Sequence, residues 1–261
     1  MEAGWKVAGS VTTQEKAVEI ARQGVAAEVL SSGSAALRHA THVLSTEPPE
    51  AAGDPVIDFV RPLTPQWLGY LSTTGVYGDR GGGWVDETDD PRPGQARSRY
   101  RLDAERAWQA LGAALGAPVD LFRLPAIYGP ERSALDQVLQ GRAQCIDKPG
   151  QVFSRVHVDD IASAVLAAMS KKAGAIYNVC DDEPGAQFDV VAFACQLLGR
   201  PAPKLVPWDE AAPGMSDMAR SFYAENRRVR NDRLKRELGV VLKYPNYREG
   251  LSAIAAQRKA K

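Results

Sequence analysis

The stretch WLGYLSTTGVYG, residues 67–78, decides the fold. Residues 67–72 are a short, mostly apolar run that predicts a buried strand, and a glycine-bearing turn follows it. In open parallel sheets the ligand site lies beyond the carboxyl ends of the strands. The turn puts the hydroxyls of Thr73 and Thr74 at that edge. They serve either to donate to a carbonyl or ribose oxygen or to satisfy the backbone of the turn itself.

Apolar runs alternate with helical stretches on both sides of this strand, which predicts an α/β fold with a doubly wound parallel sheet. The clearest helix begins near Ser98, because its apolar residues recur at i, i+3, i+4 and i+7. Thr12 and Thr13 can cap an earlier helix, and Gly24 suits the positive φ that follows its last turn. Further strands are expected at residues 5–10, 25–30, 42–45, 119–124 and 176–180.

The second half of the chain divides into smaller pieces. Residues 152–158 alternate between apolar and polar side chains in part, which predicts a strand with one wet face. Asp159 or Asp160 is expected to cap the helix after it. Another helix is expected over residues 190–198, and residues 226–261 are basic with a helical pattern.

Composition excludes several classes of function. The 261 residues include 32 Lys and Arg and 32 Asp and Glu, so there is no net basic field to bind nucleic acid. No apolar run is long enough for a transmembrane helix, so no membrane partner is expected. Cysteines 145, 180 and 195 are widely spaced and the three histidines form no metal motif. We therefore expect no metal site and a reducing compartment, either the cytoplasm or an organelle matrix or stroma.

Five segments in a fixed order carry a resemblance to a known family. After the Thr-rich turn come Asp86-Glu87 with two prolines, the helix with Ala104-Glu105, and then residues 123–130, 156–162 and 176–179. Each is weak alone, but the ordered series resembles the NAD-dependent epimerase/dehydratase family, the extended and atypical short-chain dehydrogenases/reductases. The resemblance implies a Rossmann domain over residues 1–130 and a small substrate lobe over residues 131–261, interleaved with late Rossmann strands. It also implies bound NAD or NADP.

The family's catalytic pair does not carry over. Active members use a Tyr as acid/base, a Lys that lowers its pKa, and a Ser or Thr that orients the substrate oxygen. The Ser/Thr position falls on Thr73, but the Tyr and Lys positions are Arg97 and Arg101. An arginine does not deprotonate in proteins, so Arg97 cannot replace the Tyr. Tyr100 and Tyr77 are the remaining candidates for proton transfer.

The resemblance also suggests which residues would contact the cofactor. Arg101 can supply a positive charge to a cofactor ribose. No acidic residue follows the second family strand at residues 9–12, which leans slightly towards NADP; a turn that only caps the next helix is the other interpretation. The expected contacts are Ser10, Thr12, Ser45, Thr46, Glu47, Thr73, Arg101, Pro125, Ala126 and Ile127.

The family's Gly-x-x-Gly-x-x-Gly between the first strand and first helix is not found here. Residues 2–7 resemble the end of the first helix leading into the second strand, so about 20 residues of a strand–turn–helix unit are missing by comparison. Strands two and four would then flank a gap. We hypothesise that Met1 is an internal start or the product of a truncated gene model.

Three functions remain open at this level. The first is an NAD(P)-dependent oxidoreductase or epimerase that acts on a small carbonyl or nucleotide-sugar substrate, and the second is a catalytically silent dinucleotide-binding sensor or scaffold. The third is a truncated product that binds nothing. His157 and the acidic pairs are expected to be mainly structural. The basic run from Arg227 is expected to be a solvated helix face, with a phosphate or nucleotide-sugar contact near Asn231 as the alternative that the resemblance implies. A homodimer through the helix at residues 98–115 is a further expectation.

Overall fold

The computed structural model describes residues 4–30 and 37–259, which form an α/β fold built on parallel strands. The strands are β1 Ala8–Val11, β2 Ala26–Val29, β3 His42–Ser45, β4 Trp67–Thr73, β5 Trp84–Val85, β6 Val119–Leu124, β7 Ala126–Tyr128, β8 Cys145–Asp147, β9 Arg155–His157, β10 Ile176–Asn178, β11 Leu205–Pro207 and β12 Arg228–Val229. The helices are α1 Gln14–Arg22, α2 Ile57–Val60, α3 Ala96–Leu115, α4 Ala134–Leu139, α5 Val158–Lys171, α6 Gln187–Leu197, α7 Trp208–Ala211, α8 Asp217–Tyr223, α9 Asp232–Leu238 and α10 Tyr247–Lys259.

The main sheet has four parallel strands in the order β10-β6-β4-β3. Its two faces carry separate apolar clusters: Tyr70 and Leu121 belong to one, and Trp67 and Phe122 to the other. Every residue of β6 is buried, as expected of a central strand covered on both sides. The predicted fold class is therefore confirmed.

Helix α3 covers one face of this sheet. Its Trp108 ring stacks on Tyr70 with 5.9 Å between the ring centroids, and its indole N–H donates to Asp54 at 2.8 Å. Ala104 and Leu111 are buried on the same stripe, which confirms the predicted helical face. The helix ends at Gly116, which has φ of 67° and so adopts the left-handed conformation that glycine tolerates.

Strands β1 and β2 form a parallel sheet of their own. Among the described strands, β3 pairs only with β4 and β1 only with β2. This break in pairing falls between the strands that are predicted to flank a gap. Thr13 caps α1, and Gly24 has the predicted positive φ, at 80°.

Two local predictions for the second half are wrong. The strand expected over residues 152–158 is only β9, which pairs with β7, and its three residues are all buried, so it has no wet face. Helix α5 is capped by His157, whose Nδ1 accepts the Asp159 N–H at 3.1 Å. Asp160 instead accepts the backbone N–H groups of Lys243 and Tyr244, and so fixes the loop before α10.

Strand β10 follows α5 in the chain yet pairs with β6, so the main sheet includes a strand from the second half of the chain. Within residues 4–30 and 37–259, no helix combines the length and apolar content that crossing a membrane requires. The same residues contain no group of three His, Cys, Asp or Glu side chains placed to hold a metal ion.

Candidate active site at the carboxyl edge of the sheet

A cavity of about 190 Å³ opens beyond the carboxyl ends of β4 and β6. Thr73 and Gly75 from the turn after β4, and Pro125 and Ala126 after β6, line its sheet side. The opposite side comes from the second half of the chain. Its lining includes Val152, Phe153, Ser154, Ser221, Phe222, Glu225, Arg227 and Val229. The cavity therefore lies where the parallel topology predicts a ligand site.

Thr73 has the structural one of the two functions considered for the turn. Its Oγ1 accepts the Gly75 N–H at 3.0 Å, which stabilises the turn. A threonine hydroxyl has one O–H donor besides its acceptor lone pairs, and the bond to Gly75 uses only acceptor capacity. Thr73 can therefore stabilise its own backbone and still donate to a ligand oxygen.

Gly75 allows helix α3 to approach this turn closely. A Cβ atom at residue 75 would lie 2.7 Å from the Ser98 hydroxyl oxygen, nearer than real Cβ contacts. The glycine thus brings the first turns of α3 to the cavity, where Gln95, Arg97 and Ser98 contribute to the lining.

A buried polar network, called here the motif network, lies behind the cavity and consists of Ser72, Tyr77, Glu105, Arg123 and Asn178. Arg123 binds Glu105 with two N–H donors at 2.7 and 3.1 Å, and both side chains are 3% exposed. Ser72 donates to the same carboxylate at 2.5 Å. The charge pair is thus fully compensated, and it joins β4, α3 and β6.

Tyr77 belongs to this network and does not line the cavity. It is fully buried, its hydroxyl donates to Asn178 at 2.8 Å, and the Arg123 guanidinium lies 4.8 Å from its ring centroid. Burial raises the pKa of Tyr77 to about 12. These contacts are typical of a structural residue. They keep the Tyr77 hydroxyl away from the cavity lining, although Tyr77 is one of the two tyrosines predicted to transfer a proton.

Arg97 lines the cavity at the position of the family's tyrosine. Its NH1 donates to the Met218 sulfur at 2.8 Å, and its guanidinium lies 4.8 Å from the Phe222 ring centroid. Both partners belong to α8. Arg97 therefore connects the start of α3 to the side of the cavity opposite the sheet, called here the far wall. Tyr100 is half-buried and does not belong to the cavity lining, so neither predicted tyrosine meets Thr73 there.

Arg101 fastens two strand ends together. Its NH1 donates to the Leu71 carbonyl at 2.8 Å, the Tyr70 hydroxyl at 3.0 Å and the Glu47 carbonyl at 3.2 Å. The side chain therefore joins β4 to the segment that follows β3. The positive charge of Arg101 thus lies beside Leu71, which precedes Thr73 by two residues in β4. This is the side on which we expect the cofactor.

The other predicted cofactor contacts are dispersed. Ser45 is buried at the end of β3, and its Oγ has no hydrogen-bond partner among the described residues. Thr46 is exposed and Glu47 half-buried beside it, whereas Ser10 and Thr12 are exposed in and after β1. Pro125 and Ala126 line the cavity, and Ile127 lines a second cavity of about 290 Å³ on the other side of Ala126. The structure thus gathers Thr73, Pro125 and Ala126, with Arg101 and Ser45 at neighbouring strand ends.

The sequence analysis did not predict the salt bridge between Arg227 and Glu225 in the far wall. Arg227 NH1 binds the Glu225 carboxylate at 2.8 Å and the Gly78 carbonyl at 2.9 Å. Glu225 has no sequence signal, and Arg227 is the first residue of a basic run that we interpreted as a solvated helix face. Asn231, the alternative contact, is buried and donates to Cys180 O and to Asp182 instead.

Comparisons with known proteins agree with this architecture. The model of the NAD dependent epimerase/dehydratase family matches residues 51–180. The 3-diazoavenalumate denitrifying reductase of a Streptomyces species is 28% identical over 169 residues, which cover 62% of this chain and 55% of that protein. The chain therefore matches about half the length of this relative.

Two solved structures extend the comparison to the fold. A functionally unknown conserved protein from Silicibacter pomeroyi DSS superposes with a TM-score of 0.91 at 45% identity, covering 99% of this chain and 92% of that one. The dTDP-glucose 4,6-dehydratase of Bacillus anthracis str. Ames, solved in complex with NAD, superposes with a TM-score of 0.67 at 19% identity, covering 85% and 73%. With the ordered segments, the sheet topology and the family match in agreement, this chain belongs to the NAD dependent epimerase/dehydratase family.

Proposed function

We propose that this protein binds a nicotinamide dinucleotide and carries out an oxidoreductase or epimerase reaction in the cavity beside Thr73. The observation that carries the proposal is the Thr73 hydroxyl, which lines a cavity at the carboxyl edge of the sheet with its donor O–H still available. Such a donor polarises a substrate oxygen, as the family's Ser/Thr does. Membership of the NAD dependent family supplies the cofactor class.

The residues near the nicotinamide side fit such a cofactor. Ser45 provides a buried hydroxyl without a partner at the end of β3, and a buried polar group of this kind is costly unless a ligand or water satisfies it. Arg101 provides a positive charge at the end of β4, and Pro125 and Ala126 provide a surface for the carboxamide side. When bound, the dinucleotide would supply hydride transfer.

The phosphate side fits less completely. The described residues before β4 contain no Gly-x-x-Gly-x-x-Gly, so the backbone donors that hold pyrophosphate in this family are not among the contacts proposed here. No acidic residue occurs in residues 9–12, which leaves room for either NAD or NADP, with a slight lean towards NADP.

A second candidate is a dinucleotide-binding protein without turnover, and one observation favours it. Arg97 replaces the tyrosine that would move the proton, and among the described lining residues the one carboxylic acid, Glu225, is ion-paired with Arg227. Neither Tyr77 nor Tyr100 lines the cavity. The cavity can thus orient a substrate oxygen, but the carboxylic acid among its described lining residues is already held in an ion pair.

Fluorescence titration of NADH and NADPH into the 261-residue chain, followed by turnover of a panel of small carbonyl compounds and nucleotide sugars, tests both candidates. We expect binding, and we expect Thr73→Val to lower turnover about 100-fold, the effect of losing one donor to a developing oxyanion. Thr73→Ser keeps the hydroxyl and is the matched control.

The outcomes separate the candidates. Binding without turnover across the panel selects the silent dinucleotide-binding protein. Failure of both dinucleotides to bind contradicts both candidates. Sedimentation of the same sample tests the predicted homodimer through α3.

A further inference from the structure

The cavity contains one cation whose charge is not balanced, and this inference rests on the proposed function of that cavity. Among the described residues, no carboxylate lies within 4.0 Å of the Arg97 guanidinium. Its contacts are a thioether sulfur and the face of an aromatic ring, both on α8. Neither partner carries a negative charge, so the cation is available to an anionic ligand.

The second arginine of the lining does not compete for that role. Arg227 is paired with Glu225 at 2.8 Å, and their side chains are only 16% and 9% exposed. The pair contributes no net charge to the cavity. The charge that a ligand meets therefore comes from Arg97.

The other residues that line the cavity indicate the chemical character of the rest of such a ligand. Phe153, Phe222, Pro125 and Val152 present apolar surface, which suits a short carbon skeleton rather than a bare inorganic anion. Drug-sized ligands occupy pockets of roughly 300–1,000 Å³. The cavity here holds about 190 Å³, below that range, which favours a small substrate.

We propose that the substrate is a small organic acid, whose carboxylate binds Arg97 and whose carbonyl or hydroxyl oxygen accepts from Thr73. The planar guanidinium offers a two-pronged donor set that matches a carboxylate. A phosphoryl group shares that match, but the apolar wall favours a carbon chain beside the anion. Arg97, which replaces the family's acid/base, is thus a specificity-determining residue.

Isothermal titration calorimetry on the intact chain tests this directly, with and without NADH. The probes are 2-oxobutyrate, its uncharged methyl ester, inorganic phosphate and UDP-glucose. We expect 2-oxobutyrate to bind and the ester to bind at least tenfold more weakly, since one charge-assisted hydrogen-bond set is lost. Arg97→Gln should weaken 2-oxobutyrate at least tenfold, whereas Arg97→Lys should recover part of the loss.

Arg99→Gln is the matched control, because it removes the same charge two residues along α3 from an exposed side chain that does not line the cavity. The proposal is overturned if 2-oxobutyrate does not bind, if its ester binds equally well, or if Arg97→Gln and Arg99→Gln have the same effect. Preferential binding of phosphate or UDP-glucose also overturns it. Loss of NADH binding with intact 2-oxobutyrate binding contradicts the proposed function alone, so the two failures can be told apart.

Discussion

Two arginines near the ends of the same sheet have opposite environments. Arg123 is 2% exposed, and the motif network binds its guanidinium through Glu105. Arg97 is exposed, and no carboxylate in the described structure pairs with it. The motif residues Glu105 and Arg123 therefore stabilise the sheet behind the cavity, whereas Arg97, which departs from the family pattern, lines the cavity together with the motif residue Thr73. The two arginines thus have different roles, one in stability and one at the ligand site.

The largest expected effect comes from breaking the compensated pair. Glu105→Gln preserves shape but leaves the Arg123 charge buried without a counter-ion, which should lower the free energy of unfolding by about 3–5 kcal/mol. Urea denaturation measures it. Asp103→Asn is the control, since Asp103 lies on the same helix in an exposed pair with Arg106 and should change stability by less than about 1 kcal/mol. Equal losses of unfolding free energy in the two variants would contradict the contrast between the buried motif network and the exposed surface of α3.

A second test uses a buried carboxyl that lacks a close cation. Burial raises the pKa of Asp181 to about 8, against an ordinary value of 3.8, although Arg155 opposes the shift. Between these values the folded state keeps a proton that the unfolded chain has lost. Stability therefore falls as the pH rises from 4 to 8, by at most about 1.4 kcal/mol per pH unit.

Asp181→Asn should remove this dependence while keeping the backbone N–H contact from Glu183. Urea denaturation of both proteins at pH 5 and pH 8 gives the comparison. We expect the variant to gain stability relative to the parent at pH 8. A difference that does not change with pH would show that Asp181 is ionised in the folded protein.

Tyr77→Phe gives a smaller effect and sharpens the assignment of Tyr77 to the motif network. Loss of its hydroxyl leaves Asn178 with one partner fewer, which should cost about 1–2 kcal/mol of unfolding free energy. NADH and 2-oxobutyrate affinities should stay at their parental values, because the side chain does not line the cavity. A loss of turnover without a loss of stability would instead return Tyr77 to the set of catalytic candidates.

The smallest expected effect is that of Arg97→Gln on folding. An exposed side chain outside the core usually changes stability by no more than about 0.5 kcal/mol. Thermal unfolding should therefore leave the melting temperature close to that of the parent, although 2-oxobutyrate binds more weakly. A large drop would mean that the contacts of Arg97 with α8 are structural.

Much of the fold could be predicted from local sequence patterns, because the spacing of apolar residues in a strand or helix follows from which of its faces is buried. Strand β3 has the predicted bounds, residues 42–45, and α3 shows its buried stripe. The strand over residues 152–158 could not be predicted correctly, because Ser154 and His157 are polar yet buried through hydrogen bonds and ring packing. A polar residue in an alternating pattern can face either water or a buried hydrogen-bond partner, and the sequence pattern is the same in both cases.

The site could be predicted only on its sheet side. Thr73, Pro125 and Ala126 occur in motifs with fixed spacing, so sequence order was sufficient to find them. Phe222 and Glu225 lie more than a hundred residues after Thr73 and reach the cavity from α8 and the loop that follows it. Their positions depend on tertiary packing, and no local pattern carries that information.

The motif network also has a consequence for the order of folding. Tyr77 and Asn178 are 101 positions apart, and Ser72 and Glu105 are 33 apart. Closing such long loops has an entropic cost that must be met before the contacts can stabilise the chain. The network is therefore complete only after β10 has joined β6. A chain interrupted before residue 178 would lack the last connection that fixes the cavity's sheet side, so a functional cavity is a late product of folding.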